Sequence, residues 1–459
     1  MLIDRTREMK ALETEYTRKA ASFTVIYGRR RIGKTRLITE FCKNKSSLYF
    51  LATEENEREN MRVFQRLIAD FTGNEILKNA AVDRWETLFD VIADSARQPE
   101  RLIIAIDEFQ YLGQANKAFP SILMKIWDQQ LSDKNIMLIL CGSLIRMMKS
   151  QVLDYSSPLY GRRTAQMRIV QIPFKHYREF TPSLSEDALI QRYAVTGGVP
   201  KYIELFEESA PLLEQIRDTI LSPSSFLYSE PEFLLGKEVS EIGSYFSILK
   251  TIAAGERKLG KIASALSVTQ TSLTKYLKTL EELDLVEREI PITEENAAKS
   301  KRGLYRIKDN FIQFWFRFVY PYKALLETGR TDFVLKRIEE RFIVNHCAFV
   351  YEDICRERIW DFSSELELDR IGRWWGAGDT EIDIVGYDSM GENIVFGECK
   401  YSTQPKGSNV LHALQEKAKL VPWKRTSRKE YFILYSRSGF TPELTELAQN
   451  AGNIFLREH

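Results

Sequence analysis

The chain is poor in the residues that build metal and disulfide scaffolds. It has five cysteines (Cys42, Cys141, Cys347, Cys355 and Cys399), no Cys-x-x-Cys pair, and four histidines. That composition argues against a structural zinc cluster. An odd number of thiols points to reduced cysteines and a cytoplasmic setting. Long apolar runs are missing too. The densest, Phe311 to Tyr322, is shorter than the roughly 18 residues of a membrane span and contains Arg317. The opening MLIDRTREMK is charged where a secretory signal would be apolar, so neither leader nor membrane is expected. Neither sign of charge is in excess: 65 Lys and Arg face 64 Asp and Glu. This excludes a histone-like binder and leaves only local basic patches. No Gly-, Ser- or Pro-rich linker and no repeat interrupts the 459 residues. Packed domains are expected, about three at roughly 150 residues each.

What is present is an alternation. Phe23–Tyr27, Ser47–Leu51, Leu102–Ile106 and Ile136–Cys141 read as short buried strands, with helical stretches at 5–20, 36–43 and 54–70. Such alternation predicts βαβ units and a mainly parallel sheet, an α/β fold. The expected boundaries are a sheet core at 1–170, a helical region at 171–238, a small helical module at 239–328 and a second α/β domain at 329–459. The helical region is interrupted at Gly197-Gly198-Val199-Pro200.

Directly after the first strand stands Gly28-Arg29-Arg30-Arg31-Ile32-Gly33-Lys34-Thr35, followed by a helix from Arg36. This is the G-x-x-x-x-G-K-[ST] spacing of a phosphate loop. Glycines let backbone amides curl round phosphates, Lys34 faces the β- and γ-phosphates, and the Thr35 hydroxyl is placed for Mg²⁺. The helix aims its positive end at the anion. Asp107-Glu108 closes the third strand. An acid there holds the metal, and Glu108 is a candidate general base. Ser143 follows the fourth strand, where a polar side chain reaches a γ-phosphate or its water; a plain Gly-Ser turn would read the same. Arg162 and Arg163 are candidates for charge on a transition state, from this subunit or a neighbour.

Together with Asp4-Arg5-x-x-Glu8, Asp107-Glu-Phe-Gln110, Cys141-Gly-Ser143, Tyr160-Gly-Arg-Arg163 and Gly197-Gly-Val-Pro200, this sequence resembles the AAA+/STAND-type P-loop ATPases. More narrowly, it resembles the prokaryotic archaeal ATPase family, over about residues 1–235. The resemblance implies ATP with Mg²⁺ as the bound species. It also implies a helical lid whose Pro200 packs on the adenine. Leu144 departs from it, standing where relatives often carry a second small polar residue. Arg163 as a finger acting in trans would require a homo-oligomer.

Residues 261–283 read as helix–turn–helix, and 285–288 with 304–307 as a hairpin, together a winged helix. Thr271, Ser272 and Lys275 would face a DNA groove. Over 240–310 twelve basic residues meet ten acidic ones, net +2, which is thin for a DNA footprint. DNA contact and an internal scaffold both stay open.

Farther on, Glu381-Ile-Asp383-Ile-Val385 and Phe396-Gly-Glu398-Cys-Lys400 look like neighbouring strand ends. Asp383 and Glu398 offer oxygen ligands for Mg²⁺, and Lys400 lies on the face of Glu398. Glu352, on an upstream helix, would complete the set. The order resembles the PD-(D/E)xK, or restriction-endonuclease-like, fold over about 331–459. Arg356, Arg358, Arg373, Lys406, Lys417, Lys424, Arg425, Arg428 and Lys429 are candidates to line a phosphate path, and Trp374 and Trp375 to stack on bases; ordinary surface and core residues are the commoner reading of both sets. A charged strand edge, or a fold relative without cleavage, reads the same way.

Two functions follow as expectations. One is an Mg²⁺-dependent ATPase that couples nucleotide state to a nuclease-like domain binding or cutting nucleic acid. The other is a STAND-like nucleotide latch whose C-terminal domain only binds a partner.

Overall fold

The computed structural model describes residues 2–96, 100–362, 365–376, 378 and 380–458. The chain forms two compact units. The first comprises 1–176 with 199–201 and 234–240, the second 177–198, 202–233 and 241–459. Among the described residues no helix is long and apolar enough to cross a membrane.

The first unit is built on five strands: β1 (Ser22–Tyr27), β2 (Ser47–Leu51), β3 (Leu102–Asp107), β4 (Ile136–Gly142) and β5 (Ala165–Arg168). Their order is β2-β3-β4-β1-β5 and every neighbouring pair is parallel. β1, β3 and β4 are buried at every position, as unbroken apolar runs covered on both faces must be. Helix Lys34–Cys42 lays Leu37, Ile38 and Phe41 on the sheet, where they join Leu12, Ile26, Ile103 and Ile139 in one core. β5 has no apolar run to announce it, since only Met167 among its four residues is buried. Ahead of β3, the buried Arg101 guanidinium donates to the carbonyls of Tyr16, Arg18 and Ile136, so one side chain ties three segments together.

In the second unit, helices Ile242–Ala253, Leu259–Ala265 and Gln270–Glu282 precede a hairpin of β6 (Val286–Glu289) and β7 (Leu304–Ile307). The Thr269 hydroxyl caps helix Gln270–Glu282 by accepting from Ser272 N, and Leu273, Leu277 and Leu280 form its buried stripe. Helices Asn310–Phe318, Thr331–Phe342 and Ala348–Arg358 lead into a second sheet. Its strands are β8 (Arg370–Trp375), β9 (Glu381–Tyr387), β10 (Asn393–Lys400), β11 (Lys429–Ser436) and β12 (Ile454–Glu458), in the order β12-β11-β10-β9-β8. β8, β9 and β10 run antiparallel; β10, β11 and β12 run parallel, with helix Ser408–Ala418 crossing between β10 and β11.

His346 is fully buried in this unit, stacked on Phe342 and edge-on to Phe314 and Phe318. Its Nε2–H donates to Ala194 O at 2.6 Å. Burial, with Arg317 adding to it, holds the imidazole down at about 3. The unfolded chain binds this proton near pH 6.5 and the folded chain does not. The contribution is therefore complete above about pH 6.5 and is lost as the pH falls towards 3. Between pH 7.5 and 5 this one group removes about 2 kcal/mol. His346→Gln should flatten that stretch of the stability profile, read as urea midpoints at the two pH values. A loss as steep as the wild type's would contradict the assignment.

Candidate functional site

The loop between β1 and helix Lys34–Cys42 is held from three directions. Gly28 packs so closely under β5 that a Cβ there would stand 2.3 Å from Ile169 O. Arg5, almost wholly buried, donates to Ile32 O at 3.2 Å and Val170 O at 2.8 Å. Lys34 Nζ donates to Gly28 O at 2.9 Å and Arg29 O at 2.8 Å. The chain turns into the helix through positive φ at Arg31 (67°) and Gly33 (91°); only glycine reaches such a conformation without strain. The loop is thereby curled before any ligand arrives. Burial lowers the Lys34 pKa from the usual lysine value, opposed by nearby Glu108 and Asp107. Arg29 is buried in the loop, Arg30 and Arg31 are half-buried, and Thr35 and Arg36 are exposed. Arg30 reaches the Tyr111 hydroxyl at 2.8 Å.

Asp107, at the end of β3, is 1% exposed. Its Oδ2 accepts from the Thr35 hydroxyl at 2.7 Å and the Tyr49 hydroxyl at 2.8 Å, and its Oδ1 from Glu108 N at 2.9 Å. Burial, and then the Asp107 carboxylate, push the Tyr49 phenol well above its usual value, so it stays a donor. Glu108 takes a positive φ of 54°. Its Oε2 accepts from Ser143 Oγ at 2.6 Å, Ser143 N at 3.2 Å and Gln110 Nε2. Strand order explains this meeting. β4 lies between β1 and β3, so the residue after its end faces both the phosphate loop and the Asp-Glu pair.

The other expected residues are placed differently. Arg162 clamps Asp128, with Nε at 2.8 Å and Nη2 at 2.7 Å. Arg163 donates to Leu153 O at 3.4 Å and lies over the Tyr160 ring. Pro200 opens the short helix Pro200–Ile203, a position that suits its fixed φ. Arg5, Tyr49 and Gln110 are contributors for which no role was expected. Arg5 and Gln110 stood inside quoted motifs, whereas Tyr49 carried no signal beyond a strand aromatic.

In the second unit, β9 and β10 pair as expected. Asp383 and Glu398 stand one step beyond the Ile384–Gly397 pair, and both are 6% exposed. Asp383 Oδ2 accepts from Cys399 N at 2.9 Å. Glu398 accepts from Lys400 Nζ at 2.6 Å and from Lys417 Nζ at 3.0 Å. Glu352 meets Arg373 at 3.3 Å. Burial and then Asp383 push the Glu352 carboxyl up to about 8, and burial and then Glu398 raise Asp383. Glu352 thus feels Asp383, and Asp383 feels Glu398. Burial opposes the Lys400 ammonium, but Glu398 outweighs it and raises the lysine. Among the described residues no group of three or more His, Cys, Asp or Glu is placed to hold a metal ion.

Several expected nucleic-acid contacts are corrected. Trp374 is buried in the sheet core beside Ile382 and Leu414, so it has no face for a base. Trp375 Nε1 donates to Arg302 O at 3.2 Å. Arg373 is buried among Glu289, Glu352 and Glu381. Arg428 closes a helix end by donating to Ala418, Val421 and Trp423 carbonyls. Arg356 pairs with Asp353, and Arg358 with Glu186. These cations already have partners. Thr271, Ser272 and Lys275 are exposed on helix Gln270–Glu282.

A phosphate loop between a buried strand and a helix, with an Asp-Glu strand beside it, defines a P-loop ATPase of the AAA+ type. Known proteins agree. The family of ATPase domains predominantly from Archaea matches residues 2–206, and a family of archaeal and bacterial proteins of unknown function matches 315–415. An uncharacterized protein of Methanocaldococcus jannaschii is 35% identical over 427 residues, 92% of either chain. The chain belongs to one family with it. An uncharacterized ATP-binding protein of the same organism is 42% identical over 45 residues, 10% of this chain and 76% of its own. The Walker-type ATPase of Pyrococcus abyssi, a solved structure, is similar in fold at TM-score 0.50 and 19% identity, covering 69% of this chain and 96% of its own.

The Gly28 contact gives a direct check. Gly28→Ala must push the loop off Ile169 O, so ATP affinity should fall at least tenfold while the far-ultraviolet circular dichroism is unchanged. Wild-type affinity in that variant would contradict the close packing.

Proposed function

We propose that the chain is a nucleotide-latched regulatory switch: an Mg²⁺-dependent ATPase whose C-terminal part recognises a partner rather than cutting one. The observation that carries this reading is the state of the two acidic centres. Glu108 has one oxygen held by donors from Ser143 and Gln110. Glu398 is already neutralised by Lys400 and Lys417. Among the described residues, no group of three or more His, Cys, Asp or Glu is placed there to hold a metal ion.

In this reading Lys34 and the amides of Gly28–Thr35 bind the phosphates of ATP. The donor set fits Mg²⁺: the Thr35 hydroxyl and Asp107 Oδ2 stand 2.7 Å apart, two hard oxygens from the chain, with the remaining positions left to phosphate and water. When bound, Mg²⁺ supplies charge neutralisation between the phosphates. Tyr49 orients Asp107, and Ser143 orients Glu108, which takes the proton of the attacking water. Pro200 supports the adenine within a helical lid over 171–238, and Arg163 serves as a finger in a homo-oligomer. The setting is cytoplasmic.

A second reading is a nuclease-like C-terminal domain acting on DNA together with a winged helix over 239–328. Two observations favour it. Asp383 raises the Glu352 carboxyl and Glu398 raises Asp383, as carboxylates sharing one site do, and the sheet runs β8-β9-β10-β11-β12 with a crossover helix after the Glu398-x-Lys400 strand.

Plasmid incubated with Mg²⁺ or Mn²⁺ separates the two. The switch predicts no nicking above that of Asp383→Ala, with or without ATP. Nicking by the wild type that disappears in Asp383→Ala would overturn it in favour of the nuclease.

A further inference from the structure

Away from both acidic centres, the second unit carries a cleft of about 480 Å³ between helix Ile242–Ala253, helix Asn310–Phe318 and helix Thr331–Phe342. Its charged lining is Lys250, Arg317, Arg337 and Arg341, and it contains no acid. A smaller cavity of about 190 Å³ adjoins it, sharing Ala253, Arg317 and Phe349. There the other arginines are answered: Arg257 by Glu289, Arg306 by Glu287 and Asp353, Arg373 by Glu352 and Glu381.

The cleft lacks that compensation. Among the described residues Lys250, Arg317 and Arg341 form no ion pair, and Arg337 meets only Glu340, three residues along its own helix at 3.0 Å. Arg317 is the pivot. Its Nε and Nη2 both donate to Ala253 O, at 3.3 and 3.2 Å. Its Nη1 is buried with no hydrogen-bond partner. The Phe349 ring lies 5.8 Å from the guanidinium and is 39% exposed. A desolvated guanidinium with an idle N–H costs free energy unless an anion meets it. Its planar fork suits phosphate oxygens, and an exposed aromatic face suits a nucleobase. The volume is within the range of small-ligand sites.

We propose that this cleft is a second nucleotide site, separate from the phosphate loop, that takes one phosphorylated nucleoside. Its phosphates would lie on Arg317, Lys250 and Arg341 and its base on Phe349. The phosphate loop reading is not needed for it. An occupant would press on helix Asn310–Phe318 through Arg317, which suits an effector of the second unit.

Counting bound nucleotide tests this. Equilibrium dialysis of the full chain with ADP should give two equivalents for the wild type. Lys34→Ala should keep one, and Arg341→Glu should keep one. The double variant should keep none. Lys250→Glu should act as Arg341→Glu does, and both positions are exposed, so folding is spared. In the Lys34→Ala background, Phe349→Ala should weaken ADP about tenfold. A single equivalent in the wild type, lost in Lys34→Ala, would overturn the proposal. So would a residual equivalent indifferent to Arg341→Glu and Lys250→Glu, or an Arg341-dependent site that takes a single-stranded oligonucleotide and not ADP. A wild-type count that Lys34→Ala leaves at two would instead indict the phosphate-loop reading.

Discussion

Two hydrogen bonds into one carboxylate oxygen hold the nucleotide site together. Asp107 Oδ2 receives the Thr35 hydroxyl from the start of the loop helix and the Tyr49 hydroxyl from β2. Its other oxygen receives the amide of Glu108. One buried acid thus fixes the register of the loop helix, the neighbouring strand and the residue proposed as general base. Charge-assisted bonds of this kind are stronger than neutral ones. Their loss inside a dry sheet edge leaves a desolvated carboxylate. The rest of the site is arranged round that joint. Lys34 curls the loop onto Gly28, and Arg5 pins it from the far side. β4 carries Ser143 to Glu108.

The second unit works by compensation instead. The half-buried Glu289, Glu352 and Asp353 and the buried Glu398 are each met by arginine or lysine. Breaking one partner of such a network leaves the other charge buried and unpaired. The network therefore holds the hairpin, helix Ala348–Arg358 and the second sheet in one arrangement. Where compensation stops, at Arg317 and its cleft, the surface is left with unanswered positive charge.

How far this was legible in the sequence depends on how each feature is encoded. The strands β1, β3 and β4 are continuous apolar runs, so they stand out; β5 buries one side chain in four and does not. The phosphate loop, Asp107 and Glu108 follow fixed local spacings and were readable. Tyr49 belongs to the same site, but its role arises from strand order, which places β2 beside β3; no local pattern records that. Arg5 meets Ile32 and Val170 across the fold for the same reason. Of the two readings open for the arginines and tryptophans, a nucleic-acid surface or ordinary surface and core residues, the second holds at Arg373, Arg428 and Trp374. A charge or ring count cannot distinguish an exposed Arg428 from one that closes a helix end, and only tertiary contacts bury Trp374.

Asp107 joins two tasks, nucleotide binding by the loop and activation of water by Glu108. Steady-state ATP turnover, with ATP binding measured on the same samples, tests this most directly. Lys34→Ala should lose turnover and the equivalent of nucleotide bound at the phosphate loop. Glu108→Gln should keep binding and lose turnover, because the loop and Asp107 remain intact. Turnover at the wild-type rate in Glu108→Gln would contradict the account.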